Sequence, residues 1–310
     1  MRHLLRTPIP ALSIALMLCL LAVGCVLTQR DQVPQAEASE PSTPVQVEPA
    51  APVVPRPDHV VVVVMENKHR SSLIGSPEAP FINQLAGLGA NMSASYGVTH
   101  PSQPNYIALF SGSTQGVTDN DCGHAIAQPN LGSELIAAGH TFAGYAEALP
   151  QAGSTVCTAG RYARKHSPWV NFTNLPRTTT NLPASALTSW DSLPTVAFLT
   201  PDLCHDMHDC PVSAGDAWAK QTLGSYLAWA NTHNSLLVLT FDESEAHTAG
   251  NPIATVFAGP MIAPGAYATR IDHYSILRTI QDMYGLAALG HSADATAITG
   301  VWRTTPAPTS

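Results

Sequence analysis

Three short segments carry the side chains best suited to chemistry: Glu66-Asn67, the run Thr99-His100-Pro101-Ser102-Gln103-Pro104-Asn105-Tyr106, and Asp242-Glu243. Each follows a stretch that reads as a strand. Strands of an α/β sheet open their carboxyl ends onto one crevice, where ligands bind, so the pattern predicts that the three segments meet. A serine hydroxyl beside carboxylate and amide oxygens has the parts of a metal-activated nucleophile. The oxygens of Glu66, Asn67, Asp242 and Glu243, together with that of Ser102, are hard donors. They suit one divalent ion, Mg2+, Ca2+ or Mn2+, and Zn2+ also accepts carboxylates. The chemistry implied is hydrolysis, with phosphate esters as the substrate class.

Each segment also has a plainer explanation. Acidic residues after strands often only cap the next turn, and a serine before a helix often only caps it. The two acidic pairs gain weight by falling at equivalent places, after two buried apolar strands. Ser102 gains weight from the same geometry that would make it a cap. A helix starting at Pro104 would aim free N–H groups and its positive end at a phosphate and at an ionised serine oxygen. Asn105 could then donate its amide to a phosphate oxygen.

The elements that must position these groups alternate. Val60 to Met65 is five valines and a methionine, the continuous apolar run of a strand buried on both faces. Helices are expected over 80–89, 104–110, 131–138, 217–231 and 274–284. Extended segments are expected over 95–99, 141–145, 195–199, 236–241 and 253–258. This order predicts an α/β fold, a mainly parallel central sheet with helices on both faces.

The ends of the chain read differently. Arg2 and Arg6 precede an apolar stretch from Ile9 to Leu21, too short for a comfortable membrane span, so residues 1–25 read as an export signal. It closes with Leu21-Ala22-Val23-Gly24-Cys25, which resembles a lipobox and would make Cys25 a lipidation site and a membrane anchor; an ordinary cleaved signal is the alternative. Residues 26–57 hold seven prolines and no aromatic residue, the composition of a solvated linker. The catalytic domain is expected over 58–303 and a short tail over 304–310. A hydrophobic content of 45% suffices for a large core, and a net charge of −8 argues against a nucleic-acid binder, which needs a basic patch.

Four cysteines remain in the domain: Cys122, Cys157, Cys204 and Cys210. In an exported chain an even number predicts two disulfides, most simply Cys122–Cys157 and Cys204–Cys210, with the other two pairings open. Cys204-His205-Asp206-Met207-His208-Asp209-Cys210 also has the residue types of a zinc site, but its spacing is unlike that of common zinc modules.

The motifs Met65-Glu66-Asn67-Lys68, Ser102-Gln103-Pro104-Asn105-Tyr106, Asp206-Met207-His208-Asp209 and Phe241-Asp242-Glu243 resemble, in order, those of the phosphoesterase family. That family contains acid phosphatases and bacterial phospholipases C and belongs to the alkaline phosphatase superfamily. The likeness extends through Tyr162 to Phe172 and Gly215 to Trp218. It implies an alkaline-phosphatase-like fold, Ser102 as nucleophile through a phosphoserine, and metal ligation by Glu66, Asn67, Asp242 and Glu243. It also implies that His166 and His208 line the phosphate pocket, as catalytic and substrate-binding groups with Asn105. His100 draws attention by its proximity to Ser102, and His205, His247 and His273 as groups that could support the site from behind. Most of the thirteen histidines are expected to be structural.

The leading function is therefore a metal-dependent acid phosphatase acting on a phosphorylated small molecule or a lipid headgroup, phosphoinositides included. A phospholipase C-like phosphodiesterase is the first alternative; against it, family phospholipases resemble longer chains. A non-catalytic surface lipoprotein is the second.

Overall fold

The computed structural model describes residues 54–245 and 249–304. The signal segment, Cys25, the linker up to residue 53, His247 and the tail from residue 305 lie outside the described residues.

In chain order the elements are β1 (His59–Met65), α1 (Pro80–Leu88), β2 (Ala90–Tyr96), α2 (Ser102–Ser111), α3 (Leu131–Ala137) and β3 (Phe142–Ala146). A two-stranded ribbon follows, β4 (Thr158–Ala159) with β5 (Tyr162–Ala163), then α4 (Arg177–Thr180), β6 (Asn181–Pro183) and β7 (Val196–Thr200). The long α5 (Val212–Ala230) leads to β8 (Ser235–Phe241), β9 (Pro252–Ala258), β10 (Gly265–Tyr267), β11 (Ile271–Asp272) and α6 (His273–Tyr284).

The main sheet runs β10-β2-β9-β8-β1-β7-β3-β6, with β11 also on β2. Only β9 pairs antiparallel, to β8 on one side and β2 on the other. The sheet is thus mainly parallel, as the alternation of elements predicts. The valine strand β1 lies at its centre, paired with β7 and β8. Val60, Val62 and Val64 face one layer, with side chains of α2, α3 and α6; Val61, Val63 and Met65 face the other, with α1 and α5. A strand covered on both faces has no polar side to show, which is why its sequence does not alternate.

Several boundaries differ from the sequence reading. The short strand expected at 95–99 is instead β2, beginning at Ala90 and ending at Tyr96. Its low-propensity residues hide it; pairing with β9 and β10, and burial of Ala90 and Met92, supply what propensity does not. The last helix of the α1/α5 layer starts at Val212, five residues before the expected start. The expected linker also ends early. Tyr284 Oη donates to Pro57 O (3.0 Å), Asn234 Nδ2 donates to Arg56 O (3.1 Å), and Val54 packs on the core.

Two disulfides staple the loops over the carboxyl ends of the strands, Cys122–Cys157 and Cys204–Cys210. The second takes up both thiols of the zinc alternative, leaving no thiolate ligand there.

Candidate active site

Adjacent pairing of β1 and β8, with Met65 opposite Phe241, brings the two acidic pairs side by side. The ladder continues one step beyond the strands, because Asp242 N–H donates to Met65 O (3.0 Å). Asn67 N–H then donates to Asp242 Oδ1 (3.0 Å), from a backbone at φ 50°. Asn tolerates this left-handed conformation better than most residues.

The third segment arrives from β2. Gly97 follows that strand so closely that a Cβ there would stand 2.8 Å from Asp242 O and 2.5 Å from Asn251 Nδ2. The turn over 98–101 is tied by Asn105, whose Oδ1 accepts from Val98 N (2.9 Å) and Thr99 N (3.1 Å). Its Nδ2 donates to Thr99 O (2.9 Å), Pro101 O (3.1 Å) and Glu243 Oε2 (3.5 Å). The expectation that Asn105 binds a phosphate oxygen does not match this geometry. Its amide is buried and committed to the turn that presents Ser102.

Ser102 is the first residue of α2 and does not cap it; the cap position is Pro101 and no side chain caps the helix. The serine oxygen is therefore free for other partners. Ser102 Oγ donates to Glu66 Oε2 (3.1 Å) and lies 3.3 Å from Glu243 Oε1. One N–H of this helix end, that of Gln103, is taken by Asn120 Oδ1 (2.9 Å) and so does not point freely at a ligand.

Behind Glu66 stands a chain of buried charges. Glu66 Oε1 lies 2.8 Å from His166 Nε2, and His166 Nδ1 lies 3.0 Å from Asp206 Oδ2. The His166 ring is 1% exposed and stacks on Tyr106 at 5.2 Å. Burial opposes its charge, but the two flanking carboxylates more than offset that and raise it to about 9. Both ring nitrogens are thus occupied and away from solvent. The expectation that His166 contacts substrate and moves protons does not fit; its observed contacts are with Glu66 and Asp206. Burial pushes Glu66 up as well, yet the His166 imidazolium wins and holds it at about 2.

The other two carboxyls behave oppositely. Burial and the negative charge of Glu66 raise Glu243 to about 7, and burial with the Glu66 and Glu243 charges holds Asp242 well above its ordinary range. Asp242 Oδ2 is buried and meets no hydrogen-bond donor. Three crowded carboxylates with an orphaned oxygen, and a serine hydroxyl between two of them, form a hard-oxygen donor set that fits a divalent cation. His100 Nδ1 pairs with Glu243 Oε2. His273 is buried and sits 2.6 Å from Asp242 O, which bonds it to the acidic pair. His205 instead pairs with Glu147 (2.8 Å).

The loop 204–210 closes the far side. Asp206 O accepts from Glu66 N (2.8 Å) and Asp206 Oδ1 accepts from His208 N (2.8 Å), locking the loop to β1. Gly215 lets α5 approach it, since a Cβ there would lie 2.4 Å from Met207 Cγ. His208 is 30% exposed, with Nδ1 2.7 Å from Asp209 Oδ1 and Nε2 3.2 Å from Lys165 Nζ. Asp206, Tyr106 and Lys165 were not singled out from sequence as site residues. Each lies inside a motif quoted there, but only burial and contact separate them from their neighbours.

With this geometry in view, the fold places the chain in a class. It superposes on a protein of the alkaline phosphatase superfamily from Vibrio parahaemolyticus with a TM-score of 0.53, 10% identity, and coverage of 80% of this chain and 72% of the other. A putative sulfatase from Bacteroides thetaiotaomicron gives a TM-score of 0.56 at 13% identity, covering 82% and 76%. At such identities the likeness concerns the fold alone. Residues 75–287 match the model of the Phosphoesterase family, and the chain belongs to that family: it is a phosphoesterase.

Among its relatives, the phosphatidylinositol-3-phosphatase of Mycobacterium tuberculosis is 50% identical over 261 residues, 83% of this chain and 87% of that protein. An acid phosphatase of Aspergillus fumigatus is 30% identical over 66% of this chain, which spans about half (51%) of that protein.

Proposed function

We propose that this protein is a metal-dependent acid phosphatase that hydrolyses phosphate monoesters, phosphoinositides among them, with Ser102 as the nucleophile. The observation that carries the reading is Ser102 Oγ held between Glu66 and Glu243, beside the orphaned Asp242 Oδ2. Glu66, Asn67, Asp242, Glu243 and Ser102 Oγ would hold one divalent ion. When bound, that ion supplies charge neutralisation for the phosphoryl group and lowers the pKa of the serine hydroxyl. Asn105 fixes the turn, so that the hydroxyl is aimed before substrate arrives. Asp206 and His166 hold Glu66 in its orientation, in the way outer partners orient a ligating group.

Ser102 Oγ would attack phosphorus and form a phosphoserine while the ester oxygen leaves. Water would then release inorganic phosphate and restore the serine. The leaving oxygen requires a proton, and His208, partly exposed and backed by Asp209, is the histidine suited to carry one. The mycobacterial relative, matched over most of both chains, supports a monoester with a lipid headgroup as a substrate. The two disulfides support an exported protein, anchored through Cys25 or released.

The deciding experiment compares phosphate release from p-nitrophenyl phosphate with cleavage of a choline phosphodiester. Turnover of the monoester, lost on chelation and regained with a divalent ion, is the expected result. Preference for the diester would make the protein a phospholipase C-like enzyme, and no turnover of either would leave a binding lipoprotein.

A further inference from the structure

The cations around the site are not equally committed. Lys68 Nζ donates to two carbonyls, Asn67 O (3.1 Å) and Met207 O (2.9 Å), and so serves as a strut between β1 and the 204–210 loop. The buried Arg164 guanidinium is spread over Thr155 O (3.2 Å), His124 O (3.4 Å), Val170 O (3.4 Å) and Asn171 Oδ1 (3.0 Å), below the stapled loops. His166 is locked between two carboxylates. Lys165 differs. Its hydrogen-bond partner is a ring nitrogen, His208 Nε2 at 3.2 Å. Its charge also reaches both sides of the nucleophile, since it favours the ionised forms of Glu66 and Glu243.

The His208 ring has a defined role in this pair. With Asp209 Oδ1 2.7 Å from Nδ1, that nitrogen carries the hydrogen, and Nε2 is left as the acceptor facing the ammonium. A lysine resting on an uncharged acceptor gains little from it compared with what a phosphate dianion offers. The approach of that dianion needs help, because Glu66, Asp242 and Glu243 put carboxylates around Ser102.

We propose that Lys165 is a substrate-binding cation for the phosphoryl group, parked on His208 until phosphate arrives. On binding, the ammonium moves from His208 Nε2 to a phosphoryl oxygen. The same movement opens Nε2 to take up, from water, the proton that the leaving oxygen needs, so occupancy of the pocket and availability of the histidine are linked. No bond other than hydrogen bonds changes in this exchange. The inference rests on the phosphatase reading of the same pocket but is testable without turnover.

The test is calorimetric titration of inorganic phosphate into the metal-loaded full chain, with melting temperature and metal content as controls. Lys165→Met should weaken phosphate binding at least about tenfold, the usual worth of one charge-assisted contact, while Lys165→Arg stays near wild type. Lys165→Gln, which retains polarity, serves if the methionine variant fails to fold. His208→Ala should bind phosphate as well as wild type or better, because the lysine no longer has a resting partner. In turnover, Lys165→Met should raise KM for p-nitrophenyl phosphate more than it lowers kcat.

Wild-type phosphate affinity in both Lys165→Met and Lys165→Gln would overturn the proposal. So would equal weakening in His208→Ala and Lys165→Met with no further loss in the double variant, which would make Lys165 only a support for the ring. If the wild type binds phosphate but releases none from p-nitrophenyl phosphate, the hydrolase reading fails and the Lys165 assignment is still decided by the titration.

Discussion

Two groups of acidic side chains sit beyond the carboxyl ends of the same sheet, and they have opposite characters. Glu66, Asp242 and Glu243, after β1 and β8, are buried, push against one another and leave Asp242 Oδ2 without a donor. Glu147, Asp202 and His205, after β3 and β7, have ligand atoms close enough together to hold an ion. Yet they already satisfy themselves. Glu147 Oε1 accepts from Trp218 Nε1 (2.9 Å), Glu147 Oε2 from Asp202 N (3.0 Å), and Asp202 Oδ1 from Cys204 N (2.9 Å) and His205 N (3.0 Å). The difference teaches that ligand atoms in proximity can already have their partners, whereas buried carboxyls without a donor call for charge from outside, which is why the first group is the proposed ion site.

The sharpest break between the two groups is catalytic. Ser102→Ala should lower turnover at least a thousandfold, about 4 kcal/mol of barrier, while Glu147→Gln should leave kcat within a few fold. A serine variant retaining a tenth of wild-type activity would erase the distinction. Next in size is metal content. Asp242→Asn should cut bound metal and activity together by roughly a hundredfold, the scale at which altered coordination is felt. The metal-free form of that variant should melt no lower than metal-free wild type, since one of three mutually repelling carboxyls is gone. Metal analysis and melting curves on the same samples test both halves.

Glu147→Gln should act on stability instead. It weakens the charge-assisted bonds to Trp218 Nε1 and the Asp202 and His205 groups, at a cost of about 1–3 kcal/mol in denaturant unfolding. An unchanged melting temperature, with loss of bound metal, would show that this group is the ion site and reverse the comparison.

The smallest effect is a pH slope. A carboxyl raised on folding stabilises the protein below its unfolded value and loses that contribution as pH climbs through its folded value. For Glu243, ordinarily 4.5 and raised to about 7, the metal-free protein should lose stability as pH rises through that window. Glu66 has the opposite sign: ordinarily 4.5 and held at about 2, its contribution is present above 4.5 and is lost as pH falls toward 2. Metal loading should flatten the upper slope and release protons. Stability of chelator-treated protein that rises steadily from pH 5 to 7 would contradict this.

Legibility from sequence varied with the strength of the local signal. The valine strand was readable because five consecutive valines suit almost nothing but a doubly covered strand, and its neighbour at 236–241 for the same reason. From these two, the meeting of Glu66 and Asp242 in one crevice followed by the general behaviour of parallel sheets; that their strands are neighbours came from the structure. β2 was half missed because Ala-Asn-Met-Ser-Ala carries little strand propensity and owes its form to its partners. The Asp206–His166–Glu66 chain was not legible at all. It joins residues 140 positions apart, and nothing local distinguishes Asp206 from Asp209; what separates them is which one is turned inward (0% exposed against a 56% exposed side chain).

The sequence by itself determined the class of fold, an even set of cysteines whose simplest pairing is the one found, and the three oxygen-bearing segments with their order along the chain. These follow from short-range patterns: apolar runs, turn residues, and spacing between motifs. Tertiary structure alone decided what each polar side chain does. It set Asn105, expected as a substrate ligand, as a brace of the turn, His166, expected as a catalytic group, between Glu66 and Asp206, and Ser102, expected as the nucleophile, as a hydroxyl between carboxylates. The physical reason is that a hydrogen-bonding group has a limited number of partners, and which ones it meets depends on burial and packing across the whole chain.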